Sequence, residues 1–259
     1  MSEIMGKKAD KLLPGALHSE LRIDLHTFYA ISTWLGRERS KDKGAIIGMP
    51  RFFRLVSNIN RDSLADNPYA DAVMYQVEKL IDAARQHIQK LLNNIDKRMI
   101  QPFPGITLTD VVSSKPLNIA VHSHTPVGYQ CVYLLIGFDQ LALKLFQAHH
   151  YGFISRQHRD HQLQDGGHQI RKIFTTAQHY RSFPVSRKDL LAEREGDAIG
   201  QARDYFGELD MLILSGKKRS RFSPPVNTEN LCLLNNRLRP ESLGNKVTEV
   251  VDKQGEQDV

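Results

Sequence analysis

The chain has 259 residues, 41% hydrophobic and 25% charged, with a net charge of +6 and two cysteines. A chain of this length and composition buries a core without staples, so reliance on a disulfide framework is excluded. The sequence pI of about 9.3 favours polyanionic partners, because each neutralised phosphate releases condensed counterions. Cys131 and Cys232 sit among apolar residues and read as small buried hydrophobes of a reducing compartment. Met1 to Leu13 holds no apolar run of signal-peptide length, and the apolar stretch Cys131 to Gly137 is too short to cross a bilayer. A cytoplasmic protein without a membrane partner is the expectation.

Residues 1–15 are polar and basic, end in Pro14-Gly15 and read as a flexible arm. From Leu17 to His26 apolar residues alternate with His18, Glu20, Arg22, Asp24 and His26, the period of a half-buried strand over 18–26. Thr27 is a candidate N-cap for a helix carrying Phe28, Ile31, Trp34 and Leu35 on one face. A basic, glycine-bounded loop follows from Arg39 to Gly48, and Pro50 suits the first turn of a helix over about 50–62. Asp66-Asn67-Pro68 predicts a stop and restart, and Val73, Val77, Ile81, Ala84, Ile88 and Ile95 mark a long amphipathic helix after it.

Gln101 to Gly105 reads as a connection, and 116–122 as a second strand with Asn118 and His122 outward. Tyr129 to His149 is apolar on more than one face and predicts a buried helix. Asp165-Gly166-Gly167 is expected to break the chain before a helix over His168 to Tyr180. Ser186 with Asp189 resembles a capping box opening a helix to about Phe206, and Met211 to Leu214 suits a short strand. After Pro240 five acids stand against two lysines with no core pattern, which reads as an acidic, disordered tail over 240–259. The fold class is α+β and predominantly helical. A 16–65 unit is followed by a 66–239 helical body, which includes the basic segment 215–222.

Positive charge gathers in stretches. Residues 1–65 hold eleven Lys/Arg against seven Asp/Glu, residues 144–188 hold eight against two with six histidines, and 217–221 holds four cations in five positions. Clustering of this kind is expected of a surface that follows phosphates.

Catalytic and metal chemistry find little support. His149, His150, His158 and His161 lack cysteine partners and any HExxH spacing. Gly44 to Gly48 lacks the Lys-Ser/Thr ending of a phosphate loop, and no Gly-x-Ser-x-Gly elbow occurs. Glu193 and Glu195 read as a solvated face, and lone tyrosines such as Tyr29 and Tyr151 say nothing. No enzyme, metal or cofactor is expected.

One local order does carry a mechanism. A strand, helix, loop and helix within about 45 residues match a ribbon-helix-helix unit, in which two chains pair their strands into a ribbon that enters the major groove. Glu20, Arg22, Asp24 and His26 would face the bases, and the amides near Pro50 would hold phosphate. The acids Glu20 and Asp24 sit awkwardly before an anionic duplex, and 116–122 is the alternative reading strand.

Four segments also carry a resemblance: His18-Ser-Glu-Leu-Arg-Ile-Asp-Leu-His-Thr27, Ala65-Asp-Asn-Pro-Tyr-Ala-Asp71, Tyr133-Leu-Leu-Ile-Gly-Phe-Asp139 and Ser215-Gly-Lys-Lys-Arg-Ser-Arg-Phe222. In this order they resemble the AcaB-like transcriptional regulators of IncC conjugative plasmids and the related proteins of integrating conjugative elements, over roughly residues 18–225. The resemblance implies a transcriptional activator with a ribbon-helix-helix-like fold that raises expression of the master activator of plasmid transfer genes. It assigns no DNA contacts, so the site residues rest on charge and pattern. Arg22 and His26 are assigned to base or groove contact. Arg39, Lys41, Lys43, Arg51 and Arg54, together with Lys217, Lys218, Arg219 and Arg221, are assigned to phosphate. The expected partners are double-stranded promoter DNA, a second copy in a homodimer, and RNA polymerase, with the protein associated with the nucleoid or plasmid. The alternatives are a DNA-processing or partition accessory, a scaffold of the transfer apparatus, and an unrecognised nuclease or phosphoesterase.

Overall fold

The computed structural model describes residues 19–41, 44–99, 105, 107–191, 196–226 and 228. The expected basic arm and acidic tail, and with them Lys43, Glu193, Glu195 and Cys232, lie outside the described residues. In chain order the elements are β1 (Leu21–Leu25), α1 (Phe28–Leu35), α2 (Met49–Leu64), α3 (Pro68–Met99), β2 (Leu117–Val121), α4 (Pro126–His150), α5 (Arg156–Gln178), α6 (Arg187–Leu191), α7 (Asp197–Phe206) and α8 (Met211–Leu214).

Local chemistry sets most boundaries. The Thr27 side chain accepts from the Ala30 amide and starts α1. Asp66 takes the left-handed conformation at φ 63°, which short polar side chains tolerate. Asn67 Oδ1 then accepts from the amides of Tyr69 and Ala70 and opens α3. Ser186 and Asp189 exchange bonds as a capping box, Ser186 N to Asp189 Oδ2 at 3.0 Å and Asp189 N to Ser186 Oγ at 3.3 Å. Past that box the expected single helix is two, since α7 begins afresh after Gly196.

Helix α4 is the centre. It packs on α3, α5 and α1 and supports β1. Leu134, Leu135, Phe138, Leu141 and Ala142 are all buried, so more than one face of α4 meets protein. By length and composition alone α4 could cross a membrane, but 67% of its most apolar window is buried inside the protein, as in a core helix. One apolar cluster runs from Ile23 through Trp34, Phe52 and Ile81 to Ala177. A smaller one joins Tyr69, Val185 and Ala202 beneath Phe206.

Two expectations fail for physical reasons. Helix α5 runs unbroken through Asp165-Gly166-Gly167. A Cβ at Gly166 would lie 2.8 Å from two ring carbons of Phe138, so the glycine lets α5 approach α4 closely rather than ending the helix. Met211 to Leu214 is one helical turn rather than a strand, because Asp210 accepts from the Leu212 amide and caps it.

Gly166→Val should therefore lower stability by about 1–3 kcal/mol, the cost of overpacking a filled contact. Gly200→Ala, at an α7 position with nothing within 4 Å, should raise it by about 0.5–1 kcal/mol through helix propensity. Urea unfolding of both variants checks the pair, and equal effects would contradict the packing role of Gly166.

Candidate nucleic-acid interface

The two strands offered by the sequence as separate ribbons pair with each other. β1 and β2 run antiparallel in register, Leu21 opposite Val121, Ile23 opposite Ile119 and Leu25 opposite Leu117. The ribbon thus closes within one chain, which corrects the expectation that it needs a second chain's strand. Ile23, Leu25 and Val121 are buried. The opposite side presents Arg22 beside Ala120 and Asp24 beside Asn118 to solvent.

On that outer side a polar ladder crosses the strands. Arg22 donates from Nε and Nη2 to Asn118 Oδ1, at 2.8 and 2.5 Å, and from Nη1 to Glu20 Oε1 at 3.1 Å. Asn118 Nδ2 in turn donates to Asp24 Oδ1 at 2.7 Å. Each awkward acid is thereby engaged within the ribbon. The Arg22 guanidinium is half exposed.

A buried acid sets where the ribbon stands. Asp139 is 1% exposed and lies in the apolar run of α4. Its carboxylate accepts from His26 N at 2.7 Å, Thr27 N at 2.9 Å and Thr27 Oγ1 at 2.6 Å. Three donors from the turn between β1 and α1 offset the cost of burying the charge. Two of the segments that carry the family resemblance, 18–27 and 133–139, meet in this contact. His26 belongs to the junction more than to the outer face: it is half-buried and its Nδ1 accepts from Ser113 N at 3.2 Å.

The basic loop is folded into a hairpin. Arg37 and Ile46 exchange both backbone bonds at 2.8 Å. Gly36 has φ 77°, and a Cβ there would lie 2.5 Å from Gly48 N, so the two backbones cross at the entry of α2. Arg39, Lys41, Arg51 and Arg54 are exposed around this entry. Two cations missed by the sequence reading join them. Arg37 is exposed and donates to Gly44 O at 3.0 Å. Burial pulls the Arg171 guanidinium below its ordinary pKa, and the neighbouring positive charge of Arg37 adds to that pull. Helix α2 itself has no side-chain N-cap bond and carries Pro50 in its first turn, while Gly48 and Met49 at its start are buried.

The 217–221 run is placed differently. Arg187 is wholly buried and donates to Asp66 Oδ1 at 2.7 Å, Asp71 Oδ2 at 2.6 Å and the carbonyls of Ile213 and Leu214. Asp71 also receives the Arg219 guanidinium on both oxygens, each at 2.9 Å, and the Ser63 hydroxyl at 2.5 Å. Arg221 pairs with Glu78 and Asp82, and Lys218 with Asp210. Among the described residues of the run, Lys217 alone is exposed without a carboxylate partner. The other two resemblance segments, 65–71 and 215–222, meet here.

The histidines of α5 do not converge on a metal. Among the described residues no three His, Cys, Asp or Glu side chains come together as a ligand set. His87 Nε2 lies 2.6 Å from Asp165 Oδ2; burial pushes the Asp165 carboxyl up, and the bonds from His87 and Gln169 outweigh it and hold the carboxyl low. Burial raises the Cys131 thiol far above its ordinary pKa, so it stays protonated.

Two comparisons place the chain. The family model described as transcriptional regulator AcaB matches residues 13–227. The chain is similar to the crystal structure of selenomethionine-containing AcaB from uropathogenic E. coli, with a TM-score of 0.50 and 11% identity, over 83% of this chain and 96% of that one. At that identity the likeness speaks for the fold alone. No curated protein matches the chain.

Arg219→Ala should cost about 3–5 kcal/mol, because it strips a partner from a buried carboxylate. Lys217→Ala should stay within about 0.5 kcal/mol; urea midpoints of both distinguish a structural run from a solvated one. Burial pushes Glu78 up, but the Arg221 and Ser220 hydrogen bonds outweigh it and hold the carboxyl below its ordinary 4.5. A depressed carboxyl contributes stability that is present above its ordinary pKa and lost as pH falls through the depressed one. Arg221→Gln should accordingly flatten the loss of stability on acidification below 4.5, and an unchanged slope would contradict the pairing.

Proposed function

The chain belongs to the AcaB family of transcriptional regulators, and on that footing we propose that it is a sequence-specific DNA-binding activator of the conjugative transfer genes of a plasmid or integrative element. The observation that carries the proposal is the solvent face of the β1–β2 ribbon, where Arg22 and Asn118 stand side by side. A two-stranded ribbon fits the major groove. There an arginine pairs bidentately with guanine and an asparagine with adenine, each worth about 1–3 kcal/mol of discrimination.

Affinity has a different source. Arg22, Glu20 and Asp24 sum to −1 on the ribbon's outer side, so the ribbon does not attract phosphate by charge. Exposed Arg37, Arg39, Lys41, Arg51 and Arg54, in the loop before α2 and on its first turns, with Arg171 beside Arg37, supply the phosphate contacts that fix register. Lys43 stays in the proposed set from its place in the same loop, and Lys217 from its exposure.

A homodimer is the proposed assembly. Its support is no longer the ribbon but α1, whose Phe28 and Leu35 stand 78% and 67% exposed two turns apart, an apolar stripe of the kind that seats on a second copy. Two ribbons in one dimer would read half-sites about one helical turn apart. RNA polymerase is the further proposed partner, since an activator acts on it.

Arg22→Ala should lower affinity for the promoter duplex by about 10- to 100-fold, the worth of one bidentate base contact, and leave random duplex nearly unchanged. Binding titrations on both duplexes at one salt concentration measure this. Equal losses would contradict base reading by the ribbon.

A further inference from the structure

Away from the ribbon, the exposed side of α3 carries a second concentration of cations. Arg85, Lys90, Lys97 and Arg98 are exposed, with Lys90 and Lys97 two turns apart. Amides fill the positions between them: Gln86, Gln89, Asn93 and Asn94. Open space lies between these side chains. A groove of ≈ 520 Å³ runs along Arg85, Lys90, Asn93 and Lys97. A second, of ≈ 430 Å³, shares Asn94 and Lys97 with it and continues over Arg98 to His158 and Gln162 of α5.

Among the described residues no carboxylate lines either groove. The one acid of segment 85–98, Asp96, turns to the other side and lies 3.6 Å from Lys144 of α4. Arg85 is held by Gln130, an amide, at 2.5 Å. Lys90, Lys97 and Arg98 have no ion pair among the described residues. In the 215–222 segment and at the start of α5, by contrast, cations sit on acids: Arg219 on Asp71, Arg221 on Glu78 and Asp82, Lys218 on Asp210, Arg159 on Asp160. A solvated helix face ordinarily intersperses acids with its bases; this one instead interleaves bases with carboxamides, which donate to phosphate oxygens without repelling them.

We propose that this α3–α5 face binds the phosphodiester backbone of duplex DNA, as a contact additional to the ribbon. The dimensions suit it. Arg85 to Lys97 spans about 18 Å at 1.5 Å per residue, the rise of about five base steps of one strand. Lysine and arginine there bind phosphate without sequence preference, so the face adds affinity and leaves base selection to the ribbon.

The inference rests on the DNA-binding function proposed above, and its test is read on random-sequence duplex, where base selection does not enter. The full chain and a Lys90→Gln, Lys97→Gln, Arg98→Gln variant are titrated with random duplex over a salt series. The slope of log affinity against log salt should become shallower by about two to three, at about 0.9 for each phosphate no longer neutralised. The promoter duplex should weaken by the same factor as the random one. Lys90→Arg with Lys97→Arg should keep the original slope, and thermal unfolding should show both variants folded. An unchanged slope in the Gln variant overturns the proposal and leaves the ribbon's role standing. Failure of the unsubstituted chain to bind random duplex at low salt also overturns it; only failure on the promoter duplex as well overturns the DNA-binding function.

Discussion

Asp139 is the contact on which the geometry of the ribbon depends. A carboxylate in the middle of an apolar core helix is costly unless donors surround it. Here all three come from the two residues that link β1 to α1. The same three bonds end the strand, seat the N-cap residue of α1 and fasten both to the central helix. The ribbon is therefore held by a rigid element rather than a loop, which fixes Arg22 and Asn118 relative to the core. Pairing with β2, which leads into α4, fastens the ribbon's other edge to that helix.

Charge is divided between holding the fold and meeting a partner, and net charge does not distinguish the two. Arg187, Arg219 and Arg221 are spent on Asp66, Asp71, Glu78 and Asp82. They lock α6 and the 215–222 segment onto α3. The buried Arg187 satisfies two carboxylates and two carbonyls at once, a use for which the planar guanidinium suits better than an ammonium. Facing solvent are, among others, the cations near the start of α2 and those on the carboxylate-free side of α3. The outer side of the ribbon is slightly acidic, so the base selection proposed for it would not add to nonspecific attraction.

Much of this was legible in the sequence where the signal is local. Period-two alternation marked both strands, Thr27 and the Ser186–Asp189 pair marked helix starts, and the apolar spacing from Val73 to Ile95 marked α3. Partnership was not legible. Both strands were visible, but nothing local says that 21–25 pairs with 117–121 rather than with a copy of itself. Gly166-Gly167 reads as a break until Phe138 of another helix is placed against it, and the four residues 211–214 are too short for a period to tell strand from helix. The basic run at 217–221 looks solvent-facing because its acids lie about 140 residues earlier in the chain. Asp139 did leave a trace, an acid inside an otherwise apolar run; Arg171 and Arg187 left none.

The central claim is that the outer side of an intrachain ribbon reads DNA. The most direct measurement is NMR observation of the Arg22 Nε–H and the Asn118 side-chain amide during titration with the promoter duplex and with a random duplex. The account predicts that both signals move at saturation with the promoter duplex, as the Arg22–Asn118 bond is exchanged for base edges, and move little with random duplex. Saturable promoter binding that leaves both signals in place would contradict it.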